Sequence, residues 1–353
     1  MNVVDSTARR IRRTVDVANG RVEMMHGAGG RLMGDLIEAV FRPHLSNPLL
    51  DAGNDQAEFT VPDGRMVMTT DTFVVSPLFF PGGDIGSLAV HGTVNDLAMS
   101  GATPLHLSAG FVLEEGFPLA DLQRIAAAMG EAARDAGVAV VTADTKVVER
   151  GRCDGVYINT AGVGVVPADV SVSGEKARPG DAVIVSGTMG DHGIAIMSHR
   201  AGLEFETAIV SDSAALNGLV TAMVTAAPSD LHVLRDPTRG GLSASLNEIA
   251  HQSGVGFRLD EDAIPVRGEV RGACELLGLD PLNVANEGKL VAVVAQQSAG
   301  AVLEAMRAHP LGRDAAIVGE VIEDPLRLVR MTTAIGGERV VDWLAGEQLP
   351  RIC

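Results

Sequence analysis

The chain has 353 residues, 46% of them hydrophobic, and its 28 Lys and Arg against 45 Asp and Glu leave a net charge of −17. A balance this acidic argues against nucleic acid and against anionic membrane surfaces as partners, since both are held by clustered Lys and Arg. The length suggests two domains of roughly 150 residues each, enough to bury a core without a disulfide or metal staple.

Residues 1–45 read as an N-terminal extension. Its one basic run, Arg9, Arg10, Arg12 and Arg13, precedes no apolar stretch that could serve as a signal-peptide core. Apolar runs elsewhere are far shorter than the ~20 residues that span a bilayer, so no membrane association and a cytoplasmic location are expected. Met25-His26-Gly27-Ala28-Gly29-Gly30 then feeds a helix-periodic segment, Leu32 to Phe41. A glycine-rich loop at a helix start, here Gly29 and Gly30 above all, offers backbone N–H groups and a positive dipole end to a phosphate. A plain flexible connection is the alternative.

Residues 46–170 form the first expected domain. Met66 to Asp71 is strand-like and ends on an acid, helices follow at Ile85 to Ser100 and Leu119 to Ala136, and Val138 to Asp144 is a second strand ending on an acid. Val156 to Thr160 is a third. Strands alternating with helices of this length predict an α/β or α+β layer, not a bundle. Pro167, Gly174, Pro179 and Gly180 mark a boundary. Residues 171–335 restart the pattern with a strand at Ala182 to Ser186, the glycine-rich Gly187 to Gly193, and helices at Ile194 to Arg200, Leu216 to Ala226 and Leu242 to Gln252. A strand at Leu290 to Ala295, a helix at Ala299 to Ala308 and a strand at Ala316 to Val321 complete it. Residues 336–353 read as a mobile tail, anchored once by Asp342-Trp343-Leu344.

Asp55, Asp71, Asp96, Asp144 and Asp236 each lie at a turn, strand end or helix start, positions from which carboxylates can converge on one cleft. Carboxylates without histidine suit hard cations, and magnesium (Mg2+) fits best because one or two carboxylates and nucleotide phosphates share its octahedron. Taken singly, each Asp has an ordinary role; Asp236 before Pro237 has the pattern of a helix N-cap. The Gly187 to Gly193 loop lacks the Lys-Ser/Thr pair of a P-loop. Lys146 could neutralise phosphate charge or move protons, with Glu287 as a counterpart base; an exposed loop charge is the alternative for both. His26, His91, His106 and His192 share no metal-ligand spacing and read as packed or capping residues.

Cys153, Cys274 and Cys353 are too scattered for a disulfide framework or a metal knuckle. Cys353 ends the chain, and about ten extended residues before it would reach roughly 33 to 36 Å. The adjacent α-carboxylate disfavours a thiolate there, so a nearby cation such as Arg351 or a base would have to activate it. A frayed terminal residue is the ordinary alternative.

Several runs together carry a resemblance: Thr70-Asp71-Thr72-Phe73-Val74-Val75-Ser76-Pro77, Gly92-Thr93-Val94-Asn95-Asp96, Asp144-Thr145-Lys146, Asp236-Pro237-Thr238-Arg239-Gly240-Gly241, Asn286-Glu287-Gly288 and the terminal Pro350-Arg351-Ile352-Cys353. From about His26 to Cys353 the sequence resembles the HypE family, the carbamoyl dehydratases of nickel–iron hydrogenase maturation. The resemblance implies the PurM-like two-domain fold shared with aminoimidazole ribonucleotide synthetase, selenophosphate synthetase and thiamine monophosphate kinase. In that fold the N-terminal domain forms a dimeric β-barrel over paired ATP sites, followed by a C-terminal α/β domain, here with a flexible tail.

The reaction the resemblance implies begins when the carbamoyltransferase HypF places a carboxamide on the sulfur of Cys353. The tail folds into its own ATP site, ATP phosphorylates the carboxamide oxygen, and loss of a nitrogen proton and of phosphate leaves S–C≡N. The cyano group then passes to iron on the HypC–HypD scaffold. Cys353, Lys146 and Glu287 would be catalytic. Asp71, Asp96, Asp144, Asp236, Gly29, Gly30 and Asn286 would hold ATP, and Asp55, Asp71, Asp96, Asp144 and Asp236 would hold Mg2+. The runner-up readings are another ATP-dependent synthetase or small-molecule kinase of the superfamily, or a carrier whose tail only transports the group.

Overall fold

Two mixed sheets, one from each half of the chain, organise the computed structural model, which describes residues 15–202, 209–344, 346 and 349–353. The basic run at Arg9, Arg10, Arg12 and Arg13 lies outside the described residues. Helical turns α1 (Arg31–Leu36) and α2 (Arg42–Leu45), joined by a π-turn at Ile37–Phe41, precede β1 (Arg65–Phe73). A short ladder of β2 (Phe79–Phe80) with β3 (Gly83–Asp84) leads into α3 (Ile85–Ala98), followed by β4 (Thr103–Glu114), α4 (Leu119–Asp135), β5 (Ala139–Val148) and β6 (Val156–Val166). The first sheet runs β1-β6-β4-β5, with β1 and β4 antiparallel to β6, and β4 parallel to β5 across the α4 crossover.

Between β6 and β7 (Ala182–Val185) the chain runs through turns only. Then come α5 (Asp191–Ala201), α6 (Asn217–Ala226), β8 (Leu231–Arg235), α7 (Gly241–Ser253), β9 (Gly256–Asp260), α8 (Gly268–Leu277), β10 (Val291–Val294), α9 (Ala299–Ala308), β11 (Ala316–Ile322), β12 (Val329–Thr332) and β13 (Glu338–Val340). Their sheet has the order β13-β12-β9-β11-β7-β10-β8, and its β7 and β10 are buried at every position. No helix among the described residues is long and apolar enough to cross a membrane.

Local chemistry explains the first long helix. Asp84 caps α3 by accepting from the N–H groups of Gly86 and Ser87, while the Ser87 hydroxyl accepts from the Asp84 N–H. Nearly every α3 residue is buried, because the helix is wedged between the first sheet and α4. Phe73, Leu107, Phe111, Leu113 and Ile158 are all buried in the core formed there, and each such side chain contributes about 1.5–3 kcal/mol of transfer free energy. The opposite face of the sheet is open, with Met66 and Met68 of β1 exposed at 57% and 73%.

Three elements differ from expectation. The strand expected to end at Asp144 continues to Val148, so Asp144 and Lys146 stand within β5 and not at its end. Thr103–Glu114 forms the longest strand described, which Pro104 and Gly110 disguise although Leu107, Ala109, Phe111 and Leu113 alternate inward. Within the expected mobile tail, Glu338–Val340 pairs with β12 as the edge of the second sheet.

At Gly86 α3 runs close against α4: a Cβ there would lie 2.3 Å from the Ile125 carbonyl oxygen. Gly86→Ala is expected to force the helices apart and to destabilise the protein by about 1–3 kcal/mol. Denaturant titration monitored by circular dichroism measures this, and an unchanged midpoint would contradict it.

Candidate active site

A glycine admits the first carboxylates. A Cβ on Gly92 would lie 2.8 Å from the Phe73 ring, so only glycine lets α3 settle against β1 here. That seats Asp96 over the strand, where its Oδ2 accepts the Thr69 hydroxyl at 2.8 Å. Asp71 lies two residues beyond Thr69 and so shares its side of β1. Asp236 leaves the end of β8 and Glu287 lies in the turn before β10.

These acids feel one another. Glu287 is buried, its Oε1 has no hydrogen-bond partner, and burial first, then Asp236, Asp212, Asp71 and Asp96, push its carboxyl well above the usual carboxylate range. Asp236 keeps part of its surface in solvent, yet the protein packed around its carboxyl, then Asp96, raise its pKa to about 7. Burial, reinforced by Asp71, also raises Asp96. The N-cap pattern at Asp236 is not realised: α7 starts at Gly241 behind a left-handed Gly240, leaving the aspartate to the cluster.

Buried amides hold the loops that carry these groups. Asn95 donates to the carbonyls of Ala214 and Glu287 at 3.0 and 3.1 Å and accepts the Leu216 N–H at 2.7 Å. Asn286, expected to touch nucleotide, is completely buried: it accepts the Gly190 N–H and donates to the carbonyls of Pro237 and Val284. Its side chain is spent on backbone, and it acts as a brace. Asp212, which nothing in Ser211-Asp212-Ser213 signals, accepts the Glu287 N–H at 2.9 Å, with the Lys289 ammonium 3.3 Å from its other oxygen. The histidines do pack and cap: His26 accepts the Glu23 N–H, His91 pairs with Ser213 and His106 meets Phe59 edge to face.

The chain terminus docks beside this cluster. Val74 N–H donates to an α-carboxylate oxygen of Cys353 at 3.1 Å and Ser76 N–H to the Arg351 carbonyl at 3.2 Å, an antiparallel pairing that prolongs the line of β1. Leu349 and Ile352 are buried and Cys353 is half-buried. Val74 lies three residues past Asp71, roughly 10 Å along an extended strand. The Arg351 guanidinium is engaged by the Val74 carbonyl and by Asp154, so it is committed to holding the tail and not to activating sulfur.

Asp144 and Lys146 stand apart from the acids. They pair at 2.6 Å on β5, both more than 60% exposed, and the ammonium holds the Asp144 carboxyl below its usual range. Three strand spacings, roughly 14 Å, separate β5 from β1 in the sheet order. The glycine loop belongs to this second group: a Cβ on Gly27 would lie 2.6 Å from the Val147 nitrogen, Gly29 has φ +75° and Gly30 precedes α1 as its N-cap. A cavity of about 590 Å³ opens between α1 and β5, lined by Arg31, Asp35, Asn54, Phe111, Asp144 and Thr145 among others. Asp55 is exposed next to Asn54 and is not among the carboxylates that perturb Glu287 or Asp236. The single cleft expected for all five aspartates is thus divided in two within one chain.

No three His, Cys, Asp or Glu side chains among the described residues converge into a ready cation site. The donor chemistry of the acid cluster still fits a hard cation completed by phosphate oxygens and water. An unpartnered buried Glu287 oxygen and the raised pKa of Asp236 both call for added positive charge.

Known proteins match the chain closely. The AIR synthase related protein family matches in two pieces, its N-terminal domain over residues 53–166 and its C-terminal domain over 178–330. The carbamoyl dehydratase HypE of Rhizobium leguminosarum bv. viciae is 64% identical over 342 residues, 97% of this chain and 98% of its own. A crystal structure of hydrogenase maturation protein HypE in complex with ATP superimposes with a TM-score of 0.90 at 50% identity, over 94% of this chain and 99% of that one. A chain from a HypE–HypF complex does so with a TM-score of 0.78 at 50% identity, over 88% and 99%.

Asp236 makes stability depend on pH. Between its unfolded value of about 4 and its folded value of about 7 the folded chain keeps a proton that the unfolded chain has lost. Stability therefore falls as pH rises through that window, and the loss is complete above it. Asp236→Asn is expected to flatten this decline and to melt higher than wild type near pH ~8. Thermal melts across the window, without added cations, measure the effect; parallel curves would show that the carboxyl is not perturbed.

Proposed function

The chain belongs to the HypE family, the ATP-dependent carbamoyl dehydratases of hydrogenase maturation, and we propose that its reaction runs on the sulfur of Cys353 presented by the docked tail. The carboxamide arrives on sulfur from HypF. The γ-phosphoryl group of ATP passes to the carboxamide oxygen as one N–H proton leaves. The C–O bond then breaks with release of phosphate and of the second N–H proton, leaving S–C≡N, ADP and phosphate. The cyano group passes on to iron carried by the HypC–HypD complex, and the site of the reaction is the cytoplasm.

Glu287 accepts the nitrogen protons. What supports this is its burial, its unpartnered Oε1 and a proton affinity that burial and the neighbouring acids raise above the usual carboxylate range. Asp71, Asp96 and Asp236 would hold Mg2+ with the nucleotide phosphates, and the ion would supply charge neutralisation for phosphoryl transfer. Gly29, Gly30 and the cavity beside Asp144 take part in nucleotide binding, with Asp55 at the rim. Asn286 keeps the acid loops in place. The observation that carries the proposal is the pairing of Cys353 with Val74, three residues from Asp71, which brings the sulfur-bearing residue to the acid cluster of its own chain.

A homodimer completes the site. The open sheet face bearing Met66 and Met68 would be covered by a second copy, and Asp144 with Lys146 of one subunit would face the acid cluster of the other. This adds a cation to those already near the cluster, Arg235 and Lys289 among them, and gives Lys146 a role with phosphate charge and protons.

Cys353→Ala is expected to abolish carbamoyl-dependent ATP hydrolysis, and Glu287→Gln to lower kcat by about 10²- to 10⁴-fold. Intact-mass measurement after incubation with HypF and ATP should show loss of one water from the modified tail in wild type only. Full turnover by the Cys353 variant would refute the proposal. Equal mixing of inactive Lys146→Ala and Glu287→Gln proteins, followed by subunit exchange, should restore about a quarter of wild-type activity, because half the dimers are mixed and each carries one intact site. No recovery would refute the shared site.

A further inference from the structure

One helix grips the terminal tetrapeptide at both ends. In the first turn of α5, His192 is fully buried, with Nε2 2.9 Å from the Ile352 carbonyl and Nδ1 2.8 Å from the Ser211 hydroxyl. A carbonyl only accepts, so Nε2 carries the proton and Nδ1 accepts from serine. In the last turn, Arg200 faces the tail from the surface. Its Nη1 lies 2.9 Å from the Pro350 carbonyl, its Nη2 3.0 Å from the Arg351 carbonyl, and its Nη2 and Nε lie 2.5 and 3.1 Å from the Ser76 carbonyl.

One guanidinium therefore joins three backbone carbonyls, two on the tail and one on the segment that follows β1. Those same segments already exchange the Val74–Cys353 and Ser76–Arg351 bonds. The carbonyls would otherwise crowd their negative ends together, and the planar fork with five donors satisfies all three at once, which a lysine point charge cannot do. We propose that Arg200 is a positioning residue for the dehydration, a latch that holds the terminal tetrapeptide in the docked pose and thereby sets the fraction of time Cys353 spends at the acid cluster.

The inference rests on the reading of Cys353 as the modified residue, but its primary test does not. Arg200 touches neither the acids nor the cavity beside Asp144, so its loss leaves the nucleotide pocket intact and loosens only the tail. His192 remains as a second, buried anchor, so docking is weakened and not erased.

The full-length protein is treated with N-ethylmaleimide and modification of the C-terminal peptide is followed by mass spectrometry, Cys153 and Cys274 being buried. Arg200→Ala should react at Cys353 roughly tenfold faster than wild type and Arg200→Lys at an intermediate rate, with the melting temperature and ATP affinity unchanged. Arg200→Gln, which keeps two donors, provides the same reading should the alanine variant lose its cooperative melt. In the HypF-coupled assay, kcat should fall while KM for ATP stays put. Equal alkylation rates in wild type and variants overturn the latch, as does a parallel change in KM and kcat. Absence of carbamoyl-dependent turnover in wild type would instead overturn the dehydratase reading and leave the alkylation result to decide the latch.

Discussion

Crowding of like charge is the constraint on which the site depends. Burial and then neighbouring carboxylates, Asp71 among them, raise the proton affinity of Asp96, Asp236 and Glu287, and the opposing charge of Arg235 is too weak to cancel the effect at Asp236. Left to themselves such loops would splay. They are held by amides whose every hydrogen bond goes to backbone, Asn95 from α3 and Asn286 from the turn before β10, and by Asp212 at the Glu287 N–H. The arrangement stores an electrostatic demand that a cation and a phosphorylated ligand would meet.

Much of this is legible in the sequence. α3, α4, α6, α7 and α9 fall within one or two residues of their periodic segments because apolar spacing and capping act locally. The motif runs also carry the four acids that meet. What local pattern cannot convey is strand order: nothing in Thr142-Ala143-Asp144-Thr145-Lys146 says that β5 is the far edge of a sheet beginning with β1. Likewise Asp212 has no neighbouring signal, and Asp236 mimics a cap because Asp-Pro serves equally well in a tight turn. The docked terminus is the hardest to foresee, since its partners Val74, Ser76, His192 and Arg200 lie more than 140 residues away.

The separation of the Asp144–Lys146 pair from the acid cluster within one chain changes how its surface should be read. The open face of the first sheet, with its two exposed methionines, is a costly surface for a monomer and a natural one to cover. In the proposed homodimer one event would both cover that face and bring the Asp144–Lys146 pair to the acid cluster, which would link assembly to competence for phosphate chemistry.

The grip on the terminus includes the carbonyls of Pro350, Arg351 and Ile352 and a terminal oxygen of Cys353, all of them backbone atoms. That backbone part of the anchor is the same for bare, carbamoylated and cyanated forms. It cannot by itself tell a spent tail from a fresh one, so any sorting of the two has to read the end of the side chain.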